Sequence, residues 1–91
     1  MVKPLIGAYQ KLRNWIWMSM EVYKNFSGNS GVRFFEIGDR YIKVKFKYSD
    51  SVYTYSYEKA GRQHVELMKH LATEGRGLSA YIAKHVSELY D

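Results

Sequence analysis

The chain has 91 residues, carries a net charge of +5, is 46% apolar and 16% aromatic, and contains nine tyrosines and no cysteine. That length supports one modest core rather than two, and the apolar content is too high for a disordered chain. The lack of cysteine excludes disulfides, thiolate metal ligands and cysteine nucleophiles, and suits a reducing, cytoplasmic setting.

At the helical period, Leu5, Ala8, Tyr9, Leu12, Trp15, Ile16 and Met20 fall on one arc opposite Gln10, Lys11 and Asn14, which predicts an amphipathic helix. Pro4 suits its first turn. Lys11, Arg13 and Asn14 interrupt the apolar cluster well before the roughly 20 residues a membrane span needs, and no small-residue cleavage pattern marks a signal peptide. Residues 1–26 are therefore expected to be an N-terminal helical extension of a domain over residues 27–91.

The run Ser27-Gly28-Asn29-Ser30-Gly31 is the clearest breaker. Three strand-like runs follow, over residues 32–37, 41–48 and 51–57. They are joined by Gly38-Asp39-Arg40 and Ser49-Asp50, spacings that favour an antiparallel meander. In the second run Ile42, Val44 and Phe46 alternate with Lys43, Lys45 and Lys47. The larger apolar set, with Tyr53, Tyr55 and Tyr57, is assigned to the helix-covered face, which leaves a lysine-bearing face outside.

A helix is predicted from about residue 57 to 73, capped by Gly75, with Ala60, Val65, Leu67, Met68, Leu71 and Ala72 on its core side. A last helix from about residue 79 to 90 would bury Leu78, Ile82, Val86 and Leu89. Ser79 would be its N-cap, and Lys84 would pair with Glu88. The fold expectation is thus α+β: an N-terminal amphipathic helix, a three-stranded antiparallel meander and two C-terminal helices packed on one sheet face.

Residues 30–90 resemble the KTSC domain, a short module found alone in bacterial proteins and at the C-terminus of some lysyl-tRNA synthetases. The resemblance rests on Ser30 before the strand start at Val32, the Phe35-Glu36 step, the Ile42-Lys43-Val44-Lys45-Phe46 strand, the Tyr53-Thr54-Tyr55 pattern and the segment from Gly77 to Ile82. Gly61-Arg62-Gln63-His64-Val65 and Gly75-Arg76-Gly77-Leu78 look like the mark of a stand-alone subgroup. The family's usual proline-containing link after the central Tyr-x-Tyr is absent here. The resemblance implies a β-β-β-α-α module for which RNA binding has been suggested, and it leaves residues 1–19 outside.

Residues 28–57 hold five basic side chains against Glu36, Asp39 and Asp50, whereas from residue 58 onward five basic residues meet five acidic ones. A polyanion-facing surface is therefore expected early in the chain. Lysines 43, 45 and 47 would repeat about every 6.6 to 7 Å along a strand, near the phosphate repeat of an extended single strand. Arg33, Arg40 and Tyr41 would widen that strip for nucleic acid. An ordinary solvated face that discourages edge pairing is the plainer account.

A second candidate is an anion site made by Arg62, His64, Gly75, Arg76 and Gly77 at the helical connection. Against it stands a His64 packed in the core and satisfied by a tyrosine hydroxyl or a carbonyl. His64 and His70 face about 120° apart on one helix, and with His85 they form no metal set. No catalytic order of residues emerges, and no cofactor is called for. Trp15 and Trp17 stand about 200° apart on the helical wheel, so one of them is left for an interface.

The sequence thus points to a non-catalytic binding module for RNA, a small nucleotide or another phosphate-bearing ligand. The alternative is a homo-oligomeric adaptor or inhibitor, of phage or other mobile-element origin, that acts through its aromatic helix or sequesters a small nucleotide.

Overall fold

The computed structural model describes residues 20–91. The expected helix over the N-terminal residues, with Trp15 and Trp17, lies outside them. Four strands form one antiparallel sheet in the order β1-β2-β3-β4: β1 Glu21–Val22, β2 Val32–Ile37, β3 Tyr41–Phe46 and β4 Val52–Ser56. The expected three-stranded meander is therefore corrected to four strands. Glu21 and Val22 pair with Phe35 and Phe34, so this stretch is a strand and not the tail of a helix. A two-residue strand has too few residues to display an alternation, which is why no pattern marks it.

Two side chains, Asn25 and Ser30, hold the loop between β1 and β2. Asn25, at φ 55°, accepts the Ser30 N–H on its Oδ1 at 3.1 Å, and the Ser30 hydroxyl accepts the Val32 N–H at 3.0 Å. β2 then departs from simple alternation. Val32 pairs with Phe46 and Phe34 with Lys45, which leaves a register shift between Val32 and Phe34. The extra residue lets Val32 and Phe35, three apart, both face the core, as a β-bulge does.

The β2–β3 turn contains a close approach of a ring to the backbone. A Cβ on Gly38 would lie 2.1 Å from the Tyr41 ring, which crosses the turn so that its hydroxyl donates to Glu36 at 3.0 Å. Beside that acceptor the phenol is held above its ordinary value, first by the hydrogen bond to Glu36 and then by the carboxylate charge.

Ser56 Oγ accepts the Lys59 N–H and caps a single helical turn, α1 Tyr57–Ala60. Gly61, at φ 100°, then breaks the path before α2 Arg62–Glu74, so the expected continuous helix is two. Gly75, at φ 78°, closes α2 by donating to the Leu71 and Ala72 carbonyls. The final helical segment is α3 Leu78–Tyr81, N-capped by Gly77 rather than Ser79 and continued by a π-helical stretch Ile82–Val86. From there the chain returns to the sheet, where Asp91 N–H donates to the Thr54 carbonyl at 2.7 Å and Ser56 Oγ donates to Asp91 Oδ1 at 2.7 Å.

One core cluster joins Val32, Phe35, Ile42, Val44, Phe46 and Tyr55 of the sheet to Val65, Met68, Ala72, Leu78, Ile82 and Val86 of the helices. Each fully buried aliphatic side chain contributes about 1.5–3 kcal/mol relative to exposure. Leu67, expected inside, is exposed. Among the described residues no helix is long and apolar enough to cross a membrane.

Candidate ligand-binding sites

The lysine row does not present three free cations. Lys45 is only 7% exposed, lies between Phe34 and Val52 in the ladder, and donates from Nζ to the Phe46 carbonyl at 2.8 Å. Its long apolar stem suits a place among hydrophobic neighbours, with the charged head bent to a carbonyl. Lys43 lies opposite Glu36, with Nζ 5.5 Å from the Tyr41 ring centre, and is half-buried together with Tyr41. Lys47 and Arg33 are exposed. The expected open strip is reduced to separate charges.

The anion site expected at the glycine turns does not assemble either. Arg62 opens α2 and Arg76 follows its end, so about 20 Å of helix separates them. The Gly75 N–H is already bonded within α2 and the Gly75 carbonyl accepts from Phe26 N–H at 2.9 Å. The Leu78 N–H donates to the Tyr23 hydroxyl at 3.2 Å. Arg76 instead lies 5.2 Å from the Phe26 ring centre.

His64 is half-buried, with Nδ1 2.6 Å from the Tyr81 hydroxyl, the tyrosine-satisfied arrangement rather than one aimed at a ligand. Its ring centre is 6.1 Å from that of His85, which packs on Tyr81 at 4.6 Å. That meeting is made between two helices and is invisible to a wheel drawn for one.

What the fold does bring together is Arg40 and Arg62. The Tyr57 N–H donates to the Arg40 carbonyl at 3.0 Å, which ties the start of α1 to the β2–β3 turn. Around the Tyr57 ring centre stand the Arg40 guanidinium at 5.2 Å, the Arg62 guanidinium at 5.9 Å and Lys69 Nζ at 5.5 Å. Asp39, Arg40, Tyr57 and Arg62 line an open cleft of about 540 Å³.

The acids nearby are unequally engaged. Glu66 accepts from the Tyr57 hydroxyl and from Lys69 Nζ at 3.0 Å, and these bonds, the Tyr57 one foremost, hold its carboxyl below the usual value. Glu58 meets Arg40 at 3.3 Å with both side chains mostly in solvent, 63% and 68% exposed, a pair worth about 0–1 kcal/mol. Arg62 makes no ion pair among the described residues.

A second cleft, of about 330 Å³, opens between the far end of the sheet and the last helix. Phe46 stacks on Tyr48 at 5.5 Å and 14°, Tyr53 stands edge-on to Phe46 at 5.7 Å and 70°, and Tyr90 stands edge-on to Tyr53 at 4.9 Å and 81°. Ser79, Ser87 and Glu88 supply its polar wall. Tyr48 is 74% exposed and Tyr90 38%. Sequence reasoning places Tyr53 and Tyr55 on the covered face but gives no role to Tyr48 or Tyr90. The one signal for them is the tyrosine count itself.

Neither a scan against protein-family models nor searches of curated proteins and of solved structures finds a match for this chain.

Proposed function

We propose that the chain is a non-catalytic binding module for a phosphate-bearing ligand, RNA foremost, with a phosphate held between Arg40 and Arg62 above Tyr57. The observation that carries the reading is the convergence of the two guanidiniums on one ring at 5.2 and 5.9 Å, at the mouth of an open cleft. Planar guanidinium forks match phosphate oxygens in bidentate fashion.

Exchange of partner is inexpensive here. Arg40 leaves only an exposed carboxylate and Arg62 leaves none, while Lys69 already neutralises Glu66. The suggested RNA binding of the KTSC domain, which residues 30–90 resemble, points the same way. The test is a screen of RNA, single-stranded DNA and small nucleotides at two salt concentrations. Binding that weakens with salt supports the reading, and no binding to any of them sinks it.

A further inference from the structure

We propose that the tyrosine cleft at the opposite end of β4 from Tyr57 is a binding site for a methylated ammonium group, independent of the phosphate site. Phe46, Tyr48, Tyr53, Tyr55 and Tyr90 line it together with Glu88.

The ring geometry is the first argument. Tyr53 stands at 70° to Phe46 and at 81° to Tyr90, and Tyr90 stands at 84° to Tyr55. Phe46 and Tyr55 are buried behind the corner these rings form, and Tyr48 and Tyr90, 74% and 38% exposed, present ring surface to it from different elements. A flat base needs one parallel face, whereas a rounded cation is attracted by several faces at once through their negative quadrupoles.

Charge is the second argument. Glu88 makes no hydrogen bond or ion pair among the described residues. The Lys84 expected to neutralise it does not reach, because the last helix ends at Val86 and the i,i+4 alignment stops there. The remaining polar groups are neutral. Burial, and after it the phenol groups of Tyr53, Tyr90 and Tyr48, push the Tyr55 hydroxyl up to about 12, so it stays protonated with its oxygen dipole among theirs. The Glu88 carboxylate, the one charged group of this lining, opposes an anion. A hydrated metal ion finds a single carboxylate, too few for a hard cation. An ammonium group clothed in methyls suits both the rings and the carboxylate.

The test uses the full chain and needs no variant at first. Choline is titrated by NMR against 3,3-dimethylbutan-1-ol, which has the same shape without the charge, following the ring protons of Tyr53 and Tyr90. Choline is expected to bind at least about threefold more tightly than the neutral alcohol, the range that cation–π attraction supplies at a partly exposed site. Glu88→Gln, on the surface and checked for folding by circular dichroism, should weaken choline and leave the alcohol unchanged. A short peptide carrying trimethyl-lysine, run in parallel, distinguishes a protein-borne ligand from a free one by which binds more tightly. Equal binding of choline and the alcohol, or no shift of the Tyr53 and Tyr90 rings with choline or with the peptide, overturns the proposal. Loss of phosphate binding in Arg40→Ala leaves it untouched, since the two sites share no residue.

Discussion

Arg40 and Tyr57 hold each other twice: the Tyr57 N–H donates to the Arg40 carbonyl at 3.0 Å, and the Arg40 guanidinium lies 5.2 Å from the centre of the Tyr57 ring. The backbone bond fixes where the ring stands, and the ring fixes where the guanidinium stands. A cation placed in this way is pre-organised, so less side-chain freedom is lost when a ligand binds.

Tyr57 also sets the charge state of Glu66. The folded-state value of that carboxyl lies below the ordinary 4.5, with the Tyr57 hydrogen bond as the first cause and Lys69 as the second. A depressed carboxylate stabilises the fold above its unfolded value, and that contribution is lost as pH falls through the folded value. In Tyr57→Phe the Glu66 carboxyl should therefore titrate closer to 4.5, and acid unfolding should lose the component that this bond supplies. A carbon-detected NMR titration of Glu66 reads it directly. An unchanged midpoint would show that the hydrogen bond has no such effect.

Gly75 should tolerate a side chain less well than Gly28 does. Its φ of 78° strains any other residue, and an added Cβ would lie 2.8 Å from Lys24 Cβ and 3.0 Å from the Phe26 ring. Gly28 has φ 84° but nothing within 4 Å. Gly28→Ala should cost about 1 kcal/mol from backbone strain alone, and Gly75→Ala about 2 kcal/mol or more. Urea unfolding of the two variants measures the difference, and equal losses would contradict the packing described at α2's end.

The lysines of β3 should separate in the same way. Lys45→Ala removes a charged donor from the buried Phe46 carbonyl and should destabilise by about 1–3 kcal/mol. Lys47→Ala, at an exposed position, should stay within about 0.5 kcal/mol. Equal stabilities for the two would restore the picture of an open, solvated row.

Tyr81→Phe removes the hydroxyl 2.6 Å from His64 Nδ1 and should cost about 0.5–1.5 kcal/mol. It should leave RNA affinity unchanged, because neither ring lines the Arg40–Arg62 cleft. A weaker RNA complex in this variant would bring His64 back as a ligand contact.

Local pattern carries a good part of this fold. The alternation of Ile42, Val44 and Phe46 correctly sets the inner face of β3, and Val65, Met68 and Ala72 mark the buried stripe of α2. Patterning fails where one residue breaks a period. The bulge before Phe34 changes which side chains of β2 face inward, Gly61 divides a helix that apolar spacing alone would continue, and the π-helical stretch ends the last helix before Glu88 can meet Lys84.

The sites are legible in the sequence as residue types and not as sets. Arg40 and Arg62 are both candidates there, but each falls with the wrong neighbours, because alternation assigns the Tyr57 ring that unites them to the core. Lys45 carries the charge expected of a binding row, yet its stem occupies an apolar position that charge counting does not register.

The most direct test of the phosphate site is fluorescence anisotropy of a short single-stranded RNA with the native chain and with Arg40→Ala/Arg62→Ala, across a salt series. The double variant should bind at least about tenfold more weakly, each charged hydrogen bond to phosphate being worth on the order of 1.5–3 kcal/mol. Its log–log salt slope should be shallower by about 0.7 for each phosphate that the variant no longer neutralises. Native affinity and native slope in the double variant would contradict the assignment of Arg40 and Arg62 as the phosphate-holding pair.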